Sequence, residues 1–264
     1  LEANFQYSSI CSALEDRPFI IASITSLLQS YDVNIRCILH PIIQVDPELR
    51  VSIVYLEFEP QLTSEQCAIL QQKLDVSLRD LLAITGHFST MTNIATGLAG
   101  EISSGYHFNK FSKTDREEAT QFLQWLVNDG FVFLGYRKWE CPETAGELAH
   151  CLIGPAGCGL FDSANPDLMR RIAAIDEDVR YLLQQPGILS VSKVPILSPL
   201  YRDEYLDLIL VKTVSSDKKN FCVHAFLGLF SAAAIHQDSS HVPIIKQKLA
   251  KIIEAEKVQP QSST

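Results

Sequence analysis

Residues 226–231 read Phe-Leu-Gly-Leu-Phe-Ser, and residues 244–248 read Ile-Ile-Lys-Gln-Lys. The first run is short and apolar, which is typical of a buried strand, while the second carries the spaced cations of a solvated helix face. Together they predict a strand, a turn and a cationic helix near the end of the sequence. No simple catalytic scheme uses these residue types, so we expect this part of the chain to serve structure.

The pattern upstream of this run predicts an antiparallel sheet. A helix that carries Phe122 and Trp125 ends at Gly130, where a chain reversal is easily made. The predicted strands that follow cover residues 131–139, 148–153, 188–194, 205–214 and 221–233. Helical patterns fall between the second and third of these strands, at 167–174 and 177–183. This arrangement resembles a PAS or GAF-like sensory fold, and no Asn-Gly hairpin signal fixes the order of the strands.

The first third of the chain predicts a second, smaller fold. Its elements run strand, helix, two strands, helix and strand, with strands expected at residues 6–14, 33–45, 51–59 and 80–86. In the third of these, Ser52, Val54, Leu56 and Phe58 alternate with more polar neighbours and are expected to face the helices. The element order is that of a ferredoxin-like fold. Residues 80–86 fit an extension of the preceding helix as well, because periodicity alone does not separate the two.

The fold class is therefore α+β, a ferredoxin-like ACT domain followed by a PAS/GAF-like antiparallel-sheet domain. The predicted boundaries are 1–86 for the ACT-like domain, 87–112 for a helix and linker, 113–257 for the PAS/GAF-like domain and 258–264 for a disordered tail. The sequence begins with Leu1, and we expect it to be a fragment of a longer protein.

Composition argues against two classes of partner. The net charge is −9 and the pI is about 5.2, whereas a nucleic-acid-binding protein normally carries a basic stripe. No apolar run reaches the roughly 18 residues that a membrane span needs.

The seven cysteines are dispersed, which predicts reduced thiols in a cytoplasmic protein. The alternative is a disulfide between Cys151 and Cys158, which flank a glycine-rich turn.

The search for reacting groups finds no catalytic constellation. The glycines around position 157 lack the lysine and serine of a phosphate loop, and the histidines have no metal-ligand spacing. Two candidate ligand-binding groups are left. Asp16 and Arg17 lie before Pro18 in a turn that resembles the ligand loop of ACT domains, although Phe19 stands where that loop has a glycine.

The second candidate group lies in a proline-broken loop between two predicted strands. The group consists of Lys193, Ser198, Arg202, Tyr205 and Asp207, and Arg202 and Lys193 could clamp a carboxylate or phosphate there. The alternative is that these cations form salt bridges with Asp203, Glu204 or a neighbouring domain.

Three ordered segments resemble one enzyme family. They are residues 16–23 (Asp-Arg-Pro-Phe-Ile-Ile-Ala-Ser), residues 125–137 (from Trp125 to Phe-Leu-Gly-Tyr-Arg137), and residues 226–231 with 242–246. Together with shorter matches at Ser192-Lys193, Tyr201-Arg202, Tyr205-Leu-Asp207 and Val211-Lys212, they are similar to the N-terminal region of the large NAD-specific bacterial glutamate dehydrogenases. The chain departs from the family at Ala22, where the family has Asp, and at Pro195-Ile-Leu197, where it has Asn-Ser-Arg.

The resemblance implies a regulatory and oligomerisation segment whose catalytic domain and NAD site lie downstream in the same polypeptide. We then expect no catalytic residue, cofactor or metal in this chain, and we expect homo-oligomers and a possible amino-acid effector. A stand-alone amino-acid or metabolite sensor is the first alternative. A small enzyme with a site near Lys193 and Arg202 is the second.

Overall fold

The computed structural model describes residues 7–47, 49–105, 111–142, 152–153, 157–162, 170–173, 175–200, 204–214 and 220–231. It is a mixed α/β protein built on two antiparallel sheets. The chain divides into two compact units, one of residues 1–85 with 198–203 and one of residues 86–197 with 204–264. The predicted helix at 242–257 lies outside the described residues.

The first unit contains the elements of the expected β-α-β-β-α order. They are β1 (Ser8–Glu15), α1 (Ile20–Gln29), β2 (Asn34–Leu39), β3 (Ile42–Gln44), β4 (Arg50–Glu59) and α2 (Ser64–Thr85). β4 is the central strand: it pairs with β1 on one side, and with β2 and β3 on the other. The predicted strand over 33–45 is thus two strands, interrupted at His40 and Pro41.

The alternation predicted for β4 is confirmed. Ser52, Val54, Leu56 and Phe58 are buried, and their neighbours in sequence are only partly so. The buried side chains of α1 and the first half of α2 complete the core, among them Ile24, Leu28 and Leu70. This one-sided burial is what a period of two produces when helices cover one face of a sheet.

The predicted strand at 80–86 is wrong, because α2 continues without a break to Thr85. Leu70, Leu74, Leu81 and Ile84 recur at intervals that place them on one helical face, and all four are buried. The sheet of the first unit therefore lacks the last strand of the ferredoxin-like pattern among its described residues.

The second unit begins with two helices. α3 (Phe88–Ser104) packs on α4 (Lys113–Trp125), and a short π-helical turn (Leu126–Gly130) leads into the sheet. α4 is capped by Ser112, whose hydroxyl accepts a hydrogen bond from the backbone N–H of Asp115 at 3.0 Å.

The sheet of the second unit has six strands and the order β6-β5-β10-β9-β8, with β7 also pairing with β5. Its strands are β5 (Phe131–Pro142), β6 (Leu152–Ile153), β7 (Cys158–Gly159), β8 (Leu189–Leu197), β9 (Tyr205–Val214) and β10 (Asn220–Phe230). A 3-10 turn (Leu160–Asp162) and α5 (Ile175–Gln184) lie between β7 and β8. The apolar run at 226–231 forms the end of β10, which is central in the sheet and buried along most of its length.

Helices cover both faces of this sheet. α3 and α4 pack on the face that carries Phe133, Phe226 and Phe230, where aromatic rings meet edge to face at about 5.4 Å. α5 packs against β8, β9 and β10. α3, which was predicted as a helix between the two domains, contributes to the core of the second unit.

One cysteine departs from the predicted reduced state. Cys141 is buried and disulfide-bonded. Cys158 is a thiol, so the alternative bond between Cys151 and Cys158 is not formed.

Among the described helices, none combines the length and apolarity needed to cross a bilayer.

Candidate functional site

The loop of Asp16 is held by a polar cluster within the first unit. The Asp16 carboxylate accepts a hydrogen bond from the Ser52 hydroxyl at 2.7 Å and another from the Arg50 guanidinium. The Ser52 hydroxyl also lies 3.1 Å from Nε2 of His40. The hydrogen bond from Ser52, followed by that from Arg50, lowers the pKa of Asp16. These contacts bind the Asp16 carboxylate to β4.

Arg17 and Phe19 complete this loop. The Arg17 guanidinium forms an ion pair with Glu15 at 2.6 Å. Phe19 precedes α1 with φ 72° and ψ 4°, so it adopts the left-handed conformation that a glycine adopts without strain. Phe19 thus has a backbone conformation that favours glycine, although its side chain is a phenyl group. A ligand role for Asp16 and Arg17 stays a prediction.

Lys193 of the second candidate group already has protein partners. Its ammonium lies 3.2 Å from Oδ1 of Asp207, its cross-strand neighbour, and donates to the Tyr205 carbonyl at 3.0 Å. The salt-bridge alternative therefore describes Lys193, with Asp207 as the partner. The Ser198 hydroxyl donates to the Leu200 carbonyl at 2.5 Å, and Arg202 lies outside the described residues. A ligand role for this group also stays a prediction.

The structure brings together a different set of polar residues, in a cleft of the second unit between α3 and the sheet. The cavity measures about 340 Å³. Its walls combine apolar and glycine positions of α3 with polar side chains of three neighbouring strands. The lining residues are Ile94, Gly97, Leu98, Glu101, Lys138, Glu140, Thr213, Val214, Cys222 and His224.

Three side chains at the floor of the cleft form a hydrogen-bonded row. Nδ1 of His224 lies 2.9 Å from the Tyr136 hydroxyl, and Nε2 lies 3.2 Å from the Thr213 hydroxyl. The Tyr136 and His224 rings are stacked, with centroids 6.1 Å apart. Because a neutral imidazole has one donor and one acceptor nitrogen, both ring atoms are satisfied by this row.

Burial decides the charge state of the row. Desolvation, with a smaller contribution from the Lys138 ammonium, lowers the pKa of His224 to about 3. Burial raises the pKa of Tyr136 above its usual range. Both groups are therefore neutral near pH 7, and His224 is a weak base there.

The charges of the cleft lie at its mouth. The Lys138 ammonium donates to Glu140 at 2.9 Å. Burial lowers the pKa of Lys138, but the hydrogen bond to Glu140 and the neighbouring Cys222 outweigh this and leave it raised. Lys138 is thus a cation near pH 7, next to two carboxylates of the same cleft, Glu101 and Glu140.

This arrangement favours binding over proton transfer. The imidazole of His224 has both nitrogens engaged and a pKa far below neutrality, which suits neither a general base nor a general acid near pH 7. Across the described part of the chain, no group of three or more His, Cys, Asp or Glu residues is placed to hold a metal ion.

Sequence reasoning missed the row because its members are far apart along the chain. Tyr136 and His224 are separated by 88 residues, and Thr213 lies on a third strand. Only the register of β5, β10 and β9 places them side by side. The available signal was a histidine within the apolar run of β10, where a buried histidine requires partners.

Comparison with known proteins gives one recurring similarity. No family model matches the chain. The NAD-specific glutamate dehydrogenase of Halomonas elongata is 23% identical over 259 residues, which is 91% of this chain and 16% of that protein. The proteins of the same name from Mycobacterium tuberculosis (22% over 255 residues) and Pseudomonas aeruginosa (21% over 202 residues) match 89% and 76% of the chain.

The chain spans about one sixth or less of each of these relatives, namely 16%, 14% and 12% of their lengths. The predicted resemblance is confirmed: the chain is similar to the N-terminal region of NAD-specific glutamate dehydrogenases.

Proposed function

We propose that this chain is the N-terminal regulatory and oligomerisation segment of an NAD-dependent glutamate dehydrogenase. The observation that carries the proposal is a similarity that runs along 91% of the chain yet covers 16% of the relative. One segment of a multidomain enzyme gives a match of this form. In this proposal, a downstream domain of the same polypeptide binds NAD and deaminates L-glutamate to 2-oxoglutarate in the cytoplasm. This chain then has no cofactor and no catalytic residue of its own.

The architecture of the second unit supports a PAS/GAF-like module. Its strands form one antiparallel sheet, and α5 falls between β6 and β8. An antiparallel sheet with helices at this point in the chain is the arrangement expected of the sensory folds that the sequence resembles. In the first unit, the β-α-β-β-α order supports an ACT-like module.

An exposed apolar surface on the first unit supports the oligomerisation role. Several large aliphatic side chains of one edge of its sheet are more than a third exposed. They are Ile35 and Ile38 with Leu39 on β2, Ile42 and Ile43 on β3, and Val45. Exposed apolar side chains gathered along one sheet edge are typical of contact with another protein surface. We assign this surface, the β2–β3 surface, to contact with another copy or with downstream domains.

The proposal is tested first by an enzyme assay on the isolated chain. Glutamate and NAD are supplied, and NADH formation is followed by absorbance. We expect no glutamate-dependent NADH, because the reacting groups belong to the downstream domain. Steady turnover that scales with the concentration of the chain would contradict the proposal.

The second candidate function is a stand-alone amino-acid or metabolite sensor, which the cleft of His224 favours. The cleft has a volume of about 340 Å³, which suits a small molecule. Its lining includes charged and neutral polar side chains that can form hydrogen bonds with a ligand. A thermal-shift screen of amino acids separates the two candidates. One selective ligand at 100 times its Kd stabilises the fold by about 2.7 kcal/mol, whereas a purely assembling segment responds to none.

A further inference from the structure

A second cavity lies between the two helices of the α3–α4 hairpin, away from the cleft of His224. It measures about 240 Å³. Ser103, from the last turn of α3, forms one side, and residues between Lys113 and Gln121 of α4 form the other. These α4 residues are Lys113, Arg116, Glu117, Thr120 and Gln121.

Two polar atoms of this cavity wall lack hydrogen-bond partners among the described residues. They are Nε of Arg116 and the hydroxyl oxygen of Thr120, and both are buried. Thr120 as a residue is only 9% exposed. The two residues are four apart on α4, so their side chains lie on the same helical face. Because an unsatisfied buried polar group costs free energy, such a pair indicates that something else supplies the missing partner.

The charge of the cavity wall selects an anion as that partner. Lys113 and Arg116 are cations, and Glu117 is the single carboxylate among the lining residues. The Lys113–Glu117 pair is 3.6 Å apart with both side chains mostly exposed, so it is weak. The cavity therefore carries a net positive charge on a protein whose net charge is −9.

Gly105 leaves room for the arginine. It ends α3 with φ 69°, a conformation that favours glycine, and a Cβ at this position would collide with Nη1 of Arg116. The guanidinium of Arg116 therefore lies against the end of α3.

We propose that the α3–α4 cavity binds a small oxyanion, either the carboxylate of an organic acid or inorganic phosphate. The planar guanidinium of Arg116 donates two parallel hydrogen bonds to such a group, and the Thr120 hydroxyl donates a third. The Lys113 ammonium adds charge at the rim of the cavity. The inference does not depend on the proposed function, because it rests on the cavity, its orphaned donors and its charge alone.

Isothermal titration calorimetry on the whole chain tests this site. Sodium phosphate, sodium succinate and sodium chloride are titrated at equal ionic strength. We expect saturable one-site binding of phosphate or succinate and none of chloride. Binding of phosphate alone identifies phosphate as the source of the oxyanion, and binding of succinate alone identifies an organic acid. Failure of both to bind would overturn the proposal.

Two variants test whether the anion binds in the α3–α4 cavity. Arg116→Gln is expected to weaken anion binding at least tenfold. Arg180→Gln, which removes the same charge from an exposed position on α5, should change it by less than twofold. Equal losses in the two variants would show non-specific charge attraction and overturn the site. If Arg116→Gln does not fold, as judged by thermal unfolding, Thr120→Val is tested instead. This variant replaces only the hydroxyl by a methyl group. An unchanged affinity for the anion would contradict the assignment.

Discussion

Lys212 is a charged residue inside the second unit, and its surroundings explain how the charge is tolerated. It is 3% exposed, and its ammonium donates to the carbonyls of Leu182, at 3.1 Å, and Gln185. Leu182 lies in the last turn of α5 and Gln185 directly follows the helix, where backbone acceptors are left unsatisfied and a cation is favoured. The ring of Phe221 lies 5.5 Å from the ammonium. Burial lowers the pKa of Lys212.

Lys212→Met is expected to destabilise the second unit by about 3 kcal/mol, because it keeps the apolar stem and leaves two carbonyls without a donor. Urea denaturation followed by circular dichroism measures the loss. Lys113→Met is the matched control: its side chain is 81% exposed, and it should change stability by less than about 0.5 kcal/mol. Equal midpoints for the two variants would contradict the capping role of Lys212.

His224 predicts a pH dependence of stability. Its native pKa of about 3 is below the value of 6.5 for a solvated histidine. Between these two values the unfolded chain binds a proton that the native state does not. The stabilisation is therefore complete above pH 6.5 and is lost as the pH falls toward 3.

Denaturation at pH 7 and pH 4 tests this dependence. From pH 7 to pH 4, the wild-type protein is expected to lose about 3 kcal/mol more than His224→Gln, which cannot titrate. Parallel losses in the two proteins would contradict the buried, neutral state of His224.

At the scale of elements, β10 depends on a glycine at its bulge. The pairing of β10 with β5 shifts register between Leu227 and Gly228. A Cβ on Gly228 would collide with the carbonyl of Val132 and lie 2.5 Å from the ring of Phe131. The close approach of the two strands therefore requires a residue without a side chain.

Gly228→Ala is expected to destabilise the second unit by about 3 kcal/mol, because the extra methyl group must push two paired strands apart. Gly97→Ala provides a control of opposite sign. Gly97 lies within α3, and a Cβ there meets nothing within 4 Å, so alanine should stabilise by about 1 kcal/mol. Thermal unfolding measures both changes, and a loss in Gly97→Ala as large as in Gly228→Ala would contradict this explanation.

Elements with a sustained period were predictable from the sequence. β4 alternates over ten residues and α3 repeats over four turns, and both have the predicted type. The run Leu81-Leu82-Ala83-Ile84 was misassigned as a strand because four consecutive apolar residues fit either period. The row of Tyr136, His224 and Thr213 was not predictable, since it depends on a register that no local pattern fixes.

At the scale of the whole molecule, the two units differ in what they offer. The first unit exposes the β2–β3 surface, and the second encloses the cleft of His224 and the α3–α4 cavity. An apolar surface suits assembly, and polar cavities suit ligands. The proposed function uses both features, the surface for assembly and the cavities for regulation.

The β2–β3 surface predicts concentration-dependent association of the isolated chain. Leu39 is 55% exposed, so Leu39→Glu should not disturb the core of the first unit. We expect sedimentation equilibrium to give a mass above the monomer value of 29.5 kDa for the wild-type chain. The variant should sediment as a monomer, because a buried carboxylate opposes association. Association that is unchanged in Leu39→Glu would place the interface elsewhere.

The central claim is that this chain contributes assembly and regulation to a glutamate dehydrogenase, and no reacting groups. The most direct test compares the whole polypeptide that carries the chain with a version that lacks it. Light scattering gives the mass of each assembly, and NADH formation from glutamate gives turnover per subunit on the same samples. We expect a smaller assembly that still turns over glutamate. An assembly of unchanged stoichiometry that has lost all turnover would contradict the claim.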